Sequence, residues 1–463
     1  MRHIIFLNGI WPENANFNRA IGPYQLKHWI SHFGFKGQVI DFCQLLTTEE
    51  IVKSVEYFIG NETLAIGVST TFWEGAPVPL MPKNIQEALV ILKDRYPNIK
   101  QIAGGARTPK VNGFDYVFAG DSEDALVLWL QELSGKRSIS LFNKRFDITN
   151  LTHRFDSNDA IMQNEVLPIE LGRGCIFKCK FCSHKNLGKP KNTYQRKFDL
   201  FLDEVRWNKE QWGVQNYLFL DDTVNEDMDK IENLAKAKNT LQFPINWVGY
   251  LRADLVWAKQ GSAELLKESG LKSCFFGIES FHPDAGKAID KGWAPKHGKE
   301  YIPKLYNDIW NKDINIHCNF IIGLPGEDKD SINETHKWCL DNPIGHHRFV
   351  ALTLFLEKHD ILTQSEFTKD YAKYGYVNVN EQTGYWENGS INSTEAAEMC
   401  KSLNQRLTYS NKMSCWNAFS ALNLGIPYEH IHNWPATLIH REIPSKKAIF
   451  KAKYLELLSQ IKS

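Results

Sequence analysis

Short β-branched or aromatic runs alternate with amphipathic, helix-like stretches from the first residues onward. HIIFLN is followed by PYQLKHWISHFG, then GQVIDF, TTEEIVKSVEYFIG, LAIGVS, IQEALVILKDRYP, QIAGG, YVFAGD and SEDALVLWLQELSG. Strand and helix patterns in strict turn predict an α/β fold, a parallel sheet with helices on both faces. We read residues 1–135 as a doubly wound, Rossmann-like domain. TTEE before an apolar run predicts a capping box. The polar stretch over residues 136–164 breaks the rhythm and reads as a linker.

The alternation resumes over residues 165–365 with LPIELG, NYLFLDD, NWVGYLR, SCFFGIES, NIHCNFIIGLPG and RFVALTLFLE, helical patterns filling the gaps. Six βα units predict a partial, TIM-like (β/α)6 barrel with its chemistry at the carboxyl ends of the strands. Residues 366–463 turn mostly helical and rich in Trp, Tyr and His, which predicts a small C-terminal domain capping the substrate. There Tyr385, Trp386, Trp416, His430, His432 and Trp434 are substrate contacts or ordinary packing, and Cys415 is a reactive or a buried thiol.

At 463 residues the chain exceeds one ordinary core, so two or three domains are expected. Its 54 Lys and Arg balance 54 Asp and Glu, which gives no reason to expect a nucleic-acid backbone or a membrane surface as partner. The first apolar run is too short for a signal segment or a membrane span. Six of the nine cysteines, Cys43, Cys274, Cys318, Cys339, Cys400 and Cys415, are scattered rather than framed for disulfides, so a cytoplasmic location is expected.

The other three lie together in LGRGCIFKCKFCSHKNLGKP as C-x3-C-x2-C: Cys175, Cys179 and Cys182. Thiolates so close on a glycine-flanked loop point to a metal centre. One reading is zinc, with His184 or a distant cysteine as fourth ligand. The other is a 4Fe-4S cluster with one iron free of protein ligands. The lack of a second C-x2-C pair and the position after the first barrel strand favour the cluster.

With Phe181 ahead of the last cysteine, this motif resembles that of the radical S-adenosylmethionine superfamily. The resemblance implies that the methionine amino and carboxylate groups chelate the open iron and that cleavage of the sulfonium yields a 5'-deoxyadenosyl radical. It implies S-adenosylmethionine contacts from Phe181, from Asp221 and Asp222 in FLDD to the methionine ammonium, from Arg252 in YLRADLV and Glu279 and Ser280 in FFGIES to the carboxylate and ribose, and from Asn319 and Gly323 in NFIIGLPGE around the adenine. A solvated strand end at FLDD, an internal Arg252–Glu279 ion pair and a plain Pro-Gly turn are the ordinary alternatives.

The first 135 residues resemble the cobalamin-binding domain of one branch of that superfamily. The resemblance places cobalamin against Ser69, Thr70, Thr71, Phe72 and Trp73 after the third strand, Gly104 and Gly105 after the fourth, and Gly120, Asp121, Ser122 and Glu123 after the fifth. No D-x-H-x2-G follows the first strand, so base-off cobalamin without a histidine ligand is expected, with Phe72 or Trp73 covering the cobalt or simply packing. A domain that keeps the fold without cobalamin is the alternative. Together the resemblances imply a cobalamin-dependent radical S-adenosylmethionine methyltransferase acting on an unactivated carbon or phosphorus of a small molecule or peptide. Rearrangement, cyclisation or oxidation without methyl transfer is the other outcome. A monomer is expected, served by an external donor such as flavodoxin or ferredoxin.

Overall fold

The computed structural model describes residues 2–9, 17–70, 81–105, 113–135, 146–182, 194–354, 365–380, 383–412, 414–426 and 439–461. Thr71, Phe72, Trp73, His184, His430, His432 and Trp434 lie outside them, as do the side chains of Cys415 and Trp416. The chain divides into two compact units. One comprises Met1–Pro168, Asp199–Val214 and Glu442–Ser463, the other Ile169–Phe198 and Gln215–Arg441.

In the first unit, β1 (Ile4–Leu7), β2 (Gly37–Ile40), β3 (Ala65–Ser69), β4 (Lys100–Gly105) and β5 (Tyr116–Ala119) form a parallel sheet in the order β2-β1-β3-β4-β5. The order reverses between β1 and β3, a switch point beyond whose strand ends such sheets bind ligands. These five strands are the five read from the alternation. The capping box is present: Thr47 Oγ1 accepts from the Glu50 amide, and Glu50 accepts from the Thr47 amide, opening the helix Thr48–Phe58.

The stretch read as a linker belongs, over its described residues 146–164, to this unit. Phe146, Ile148 and Leu151 pack with Trp29, and Lys27 pairs with Asp159 at 2.6 Å. Beneath lies a buried polar network. Arg19 holds Glu165 at 2.6 Å and donates to Tyr24, whose hydroxyl donates to Asp41 at 2.8 Å. The Asp41 amide donates to Tyr454 on the helix Ile439–Gln460, so the end of the chain is built into this unit.

The second unit is built on β6 (Leu167–Ile169), β7 (Asn216–Phe219), β8 (Asn246–Leu251), β9 (Leu271–Glu279), β10 (Asn315–Ile322) and β11 (Gly345–Ala351), neighbours in sequence order. That order is the one of a partial (β/α)6 barrel. Among the described residues, the outer edge of β11 is met by side chains rather than by a seventh strand. The Asn404 amide accepts from the Phe349 N–H and donates to its carbonyl, both at 2.8 Å, and Asn411 does the same for His347.

The C-terminal region is helical at Ser393–Leu407 and Cys415–Leu422, the latter packed on β7 to β10. It also contains an antiparallel sheet that the sequence reading did not separate from the helices: β12 (Tyr376–Asn380), β13 (Tyr385–Asn388) and β14 (Ile391–Asn392). Tyr376, Val377 and Tyr385 are residue types that suit a pleated surface.

Candidate functional site

The cysteine loop leaves β6 over a buried ionic support. The Leu171 amide donates to Asp221 Oδ1 at 2.8 Å, while Lys230 bonds Asp221 at 2.5 Å and Glu226 at 3.1 Å. Gly172 crosses this support so closely that a Cβ there would lie 3.1 Å from Asp221 Oδ2. Burial pushes the Asp221 carboxyl up to about 6 in spite of Lys230.

Asp221 thus serves the loop from below. Burial, and to a smaller extent the Asp222 charge, push the Cys175 thiol up.

Cys179 is buried, Cys175 and Cys182 half-buried, and none of the three is in a disulfide. Cys175 Sγ lies 3.5 Å from Thr223 Oγ1, and Arg252 Nη1 donates to Cys179 Sγ at 3.4 Å. The Arg252 guanidinium also lies 4.0 Å from the centre of the Phe177 ring. Burial would lower the Arg252 pKa, but Asp254 at 2.6 Å and the Cys179 sulfur outweigh it and raise the pKa. Among the described residues no three His, Cys, Asp or Glu side chains gather closely enough to hold a single ion. Thiols spaced along a wrapped loop suit a cluster whose corners lie apart.

The Arg252–Glu279 pair does not form. Arg252 takes Asp254, and Glu279, at a left-handed φ of 67°, takes Lys291 at 2.8 Å. Beside it Ser280 Oγ donates to Glu327 Oε1 at 2.5 Å and accepts from the His282 amide. Glu327 is 4% exposed, its Oε2 has no hydrogen-bond partner, and burial pushes its carboxyl up to about 7. Ser280 and the Gly323 loop thus meet through a carboxyl that sequence reasoning missed, although it directly follows GLPG. Asn319 stands in register with Gly277 and Arg348 on the neighbouring strands, and Phe181 is half-buried in the turn between Cys179 and Cys182.

A second row crosses the same sheet face one layer nearer its amino ends. Tyr250, Phe275, His317 and His346 are adjacent in register, with ring centres 5.0, 4.6 and 4.5 Å apart. Burial pushes the His346 imidazole down to about 4 and His317 well below its usual value, so both are neutral at physiological pH. No motif announced this row.

In the first unit, the described residues expected to meet cobalamin gather at the carboxyl ends of β3, β4 and β5. Thr70 donates to the Gly104 carbonyl from its amide at 2.9 Å and its hydroxyl at 3.3 Å, with Ser69 in register opposite Gly104. Ser122 donates to the Gly120 carbonyl, Asp121 accepts from the Phe146 amide, and Glu123 is buried. Gly104, Gly105 and Gly120 leave backbone bare of side chains along these strand ends.

The Radical SAM superfamily model matches residues 169–339. An uncharacterized methyltransferase of Pyrococcus horikoshii is 26% identical over 208 residues, 44% of this chain and 43% of that protein. The bacteriochlorophyllide d C-12(1)-methyltransferase of Chlorobaculum tepidum is 27% identical over 206 residues, 43% of each. The chain thus spans less than half the length of these curated relatives. Among solved structures, the radical S-adenosylmethionine methyltransferase TsrM of Kitasatospora setae, with tryptophan substrate and an S-adenosylmethionine analogue bound, superposes with a TM-score of 0.63. That match is 14% identical and covers 80% of this chain and 76% of TsrM. A second TsrM structure, with cobalamin and a [4Fe-4S] cluster, gives 0.58. At such identity the likeness to TsrM is one of fold.

Proposed function

We propose that this chain, whose residues 169–339 are a Radical SAM superfamily domain, works as a cobalamin-dependent radical S-adenosylmethionine methyltransferase on an unactivated carbon or phosphorus of a small molecule or peptide. When bound, the cluster and S-adenosylmethionine would supply a 5'-deoxyadenosyl radical, and methylcobalamin would supply the methyl group. Both curated relatives are named as methyltransferases, and TsrM has a structure with cobalamin and a [4Fe-4S] cluster bound.

The residues present fit these groups. Cys175, Cys179 and Cys182 would hold the cluster, with a guanidinium donor on one sulfur and a hydroxyl beside another. Asp222 would accept from an ammonium, and Glu279, Ser280, Asn319 and Gly323 would receive the nucleoside at the strand ends. Ser69, Thr70, Gly104, Gly105, Gly120, Asp121, Ser122 and Glu123 would receive cobalamin at the strand ends, where the glycines leave the backbone bare.

The other parts of the reading follow from this chemistry. A reduced flavodoxin or ferredoxin in the cytoplasm would supply electrons, and the chain would act as a monomer. Among the described residues, no helix is long and apolar enough to cross a membrane.

The observation that carries the proposal is the guanidinium of Arg252 on Cys179 within the three-thiol loop. Anaerobic reconstitution tests it. Wild type should bind about four irons per chain, retain hydroxocobalamin through gel filtration and release 5'-deoxyadenosine with dithionite, and Cys179→Ala should release none. A zinc-loaded, colourless protein ends the proposal.

A further inference from the structure

Residues 365–392 touch the rest of the second unit at two places that matter to the proposed chemistry. At the first, the carbonyl of Lys180, between Cys179 and Cys182, accepts the amides of Glu366 at 3.0 Å and Phe367 at 3.2 Å. Lys180 Nζ pairs with Glu366 at 3.1 Å, and the Lys180 amide donates to the Ile289 carbonyl. The cysteine loop is thereby held at its midpoint from two sides.

At the second, three side chains of the small sheet converge on Gly323. The Tyr376 hydroxyl donates to the Gly323 carbonyl at 2.9 Å and the Asn388 amide donates to the same oxygen at 3.0 Å. The Trp386 ring lies where a Cβ on residue 323 would be, and the φ of 105° at that position also requires glycine. Trp386 Nε1 donates to the Leu352 carbonyl at 3.0 Å, which fixes the indole.

The two places are joined by buried rings. Phe367, Tyr376 and Trp386 are all 0% exposed, with centres 5.9 and 5.4 Å apart along the row. From the opposite side, Glu327 receives the Ser280 hydroxyl.

We infer that Tyr376, Trp386 and Asn388 are positioning residues for S-adenosylmethionine: they fix the peptide between Gly323 and Leu324, and with it the loop that would receive the nucleoside. The inference rests on the reading above. A carbonyl gripped by two donors and backed by a locked indole cannot rotate its peptide without breaking both bonds. The loop is thus set before ligand arrives, which spares the ligand the ordering cost. The aromatic row carries this setting back to the loop that bears Cys179 and Cys182.

The test uses the full chain with its cluster reconstituted, and S-adenosylmethionine itself as probe. In Tyr376→Phe/Asn388→Ala, equilibrium dialysis should find S-adenosylmethionine bound at least tenfold more weakly, with iron content and visible absorbance as in wild type. Hydrogen exchange at residues 323–326 of the metal-free chain should be several-fold faster. Tyr376→Phe alone removes one hydroxyl and leaves the rings in place, and should weaken binding about threefold. Trp386→Phe should stay near wild type where Trp386→Ala falls with the double variant. Unchanged affinity in Tyr376→Phe/Asn388→Ala overturns the inference. A wild type that binds no S-adenosylmethionine overturns the reading beneath it instead.

Discussion

The guanidinium of Arg252, at the end of β8, donates to the sulfur of Cys179 at 3.4 Å while its other edge is held by Asp254. A fixed cationic donor on a ligand sulfur favours the more negatively charged, reduced state of any cluster bound there. The sequence marked Arg252 for the nucleoside; the structure gives it a sulfur as well.

Removing that donor should therefore make the cluster harder to reduce. In Arg252→Met the midpoint potential, followed by EPR-monitored titration, should shift negative by tens of millivolts. Arg252→Lys keeps a charge without the planar fork and should fall between. An unmoved potential in Arg252→Met would show that the contact does not tune the cluster.

Glu327 should leave a pH signature. Its folded-state carboxyl is raised to about 7 from 4.5, chiefly by burial, so the folded chain holds a proton that the unfolded chain has lost. Its contribution is full below about 4.5 and is lost as pH rises through 7, up to roughly 3 kcal/mol. Glu327→Gln cannot titrate, so urea midpoints of wild type should fall relative to the variant between pH 5 and 8. Parallel curves would refute the shift.

Asn404 should protect the barrel edge. Asn404→Ala leaves the Phe349 N–H and carbonyl without the amide that now serves both, at a cost of about 1–3 kcal/mol for each group that stays buried. It also opens a strand edge to other chains. A lower melting temperature together with increased light scattering on storage is the expected pair of readings.

Arg19 should be a strong stability determinant of the first unit. Its side chain is 0% exposed and that of Glu165 1%, so Arg19→Met strands a buried carboxylate and should cost about 3–5 kcal/mol in denaturant titration. Arg19→Met/Glu165→Leu removes both charges and should recover much of the loss.

The alternation of strands and helices, the capping box before Thr48 and the three-thiol loop were all legible in the sequence, because each depends on residues close in the chain. So were the strand ends that carry the candidate residues. Partner choice was not. Glu279 pairs with Lys291 rather than Arg252, and the support under the cysteine loop comes from Lys230 on a later helix.

The sequence by itself determined the order of elements and the donors available on one loop, since periodicity and short spacing are local properties. Only the tertiary structure decided that Asp221 takes Lys230 and the Leu171 amide beneath the cysteine loop, and that Trp386, Tyr376 and Asn388 settle on Gly323. Those outcomes depend on which face each strand turns inward and on contacts between distant segments, which the packing of helices and sheets fixes all at once.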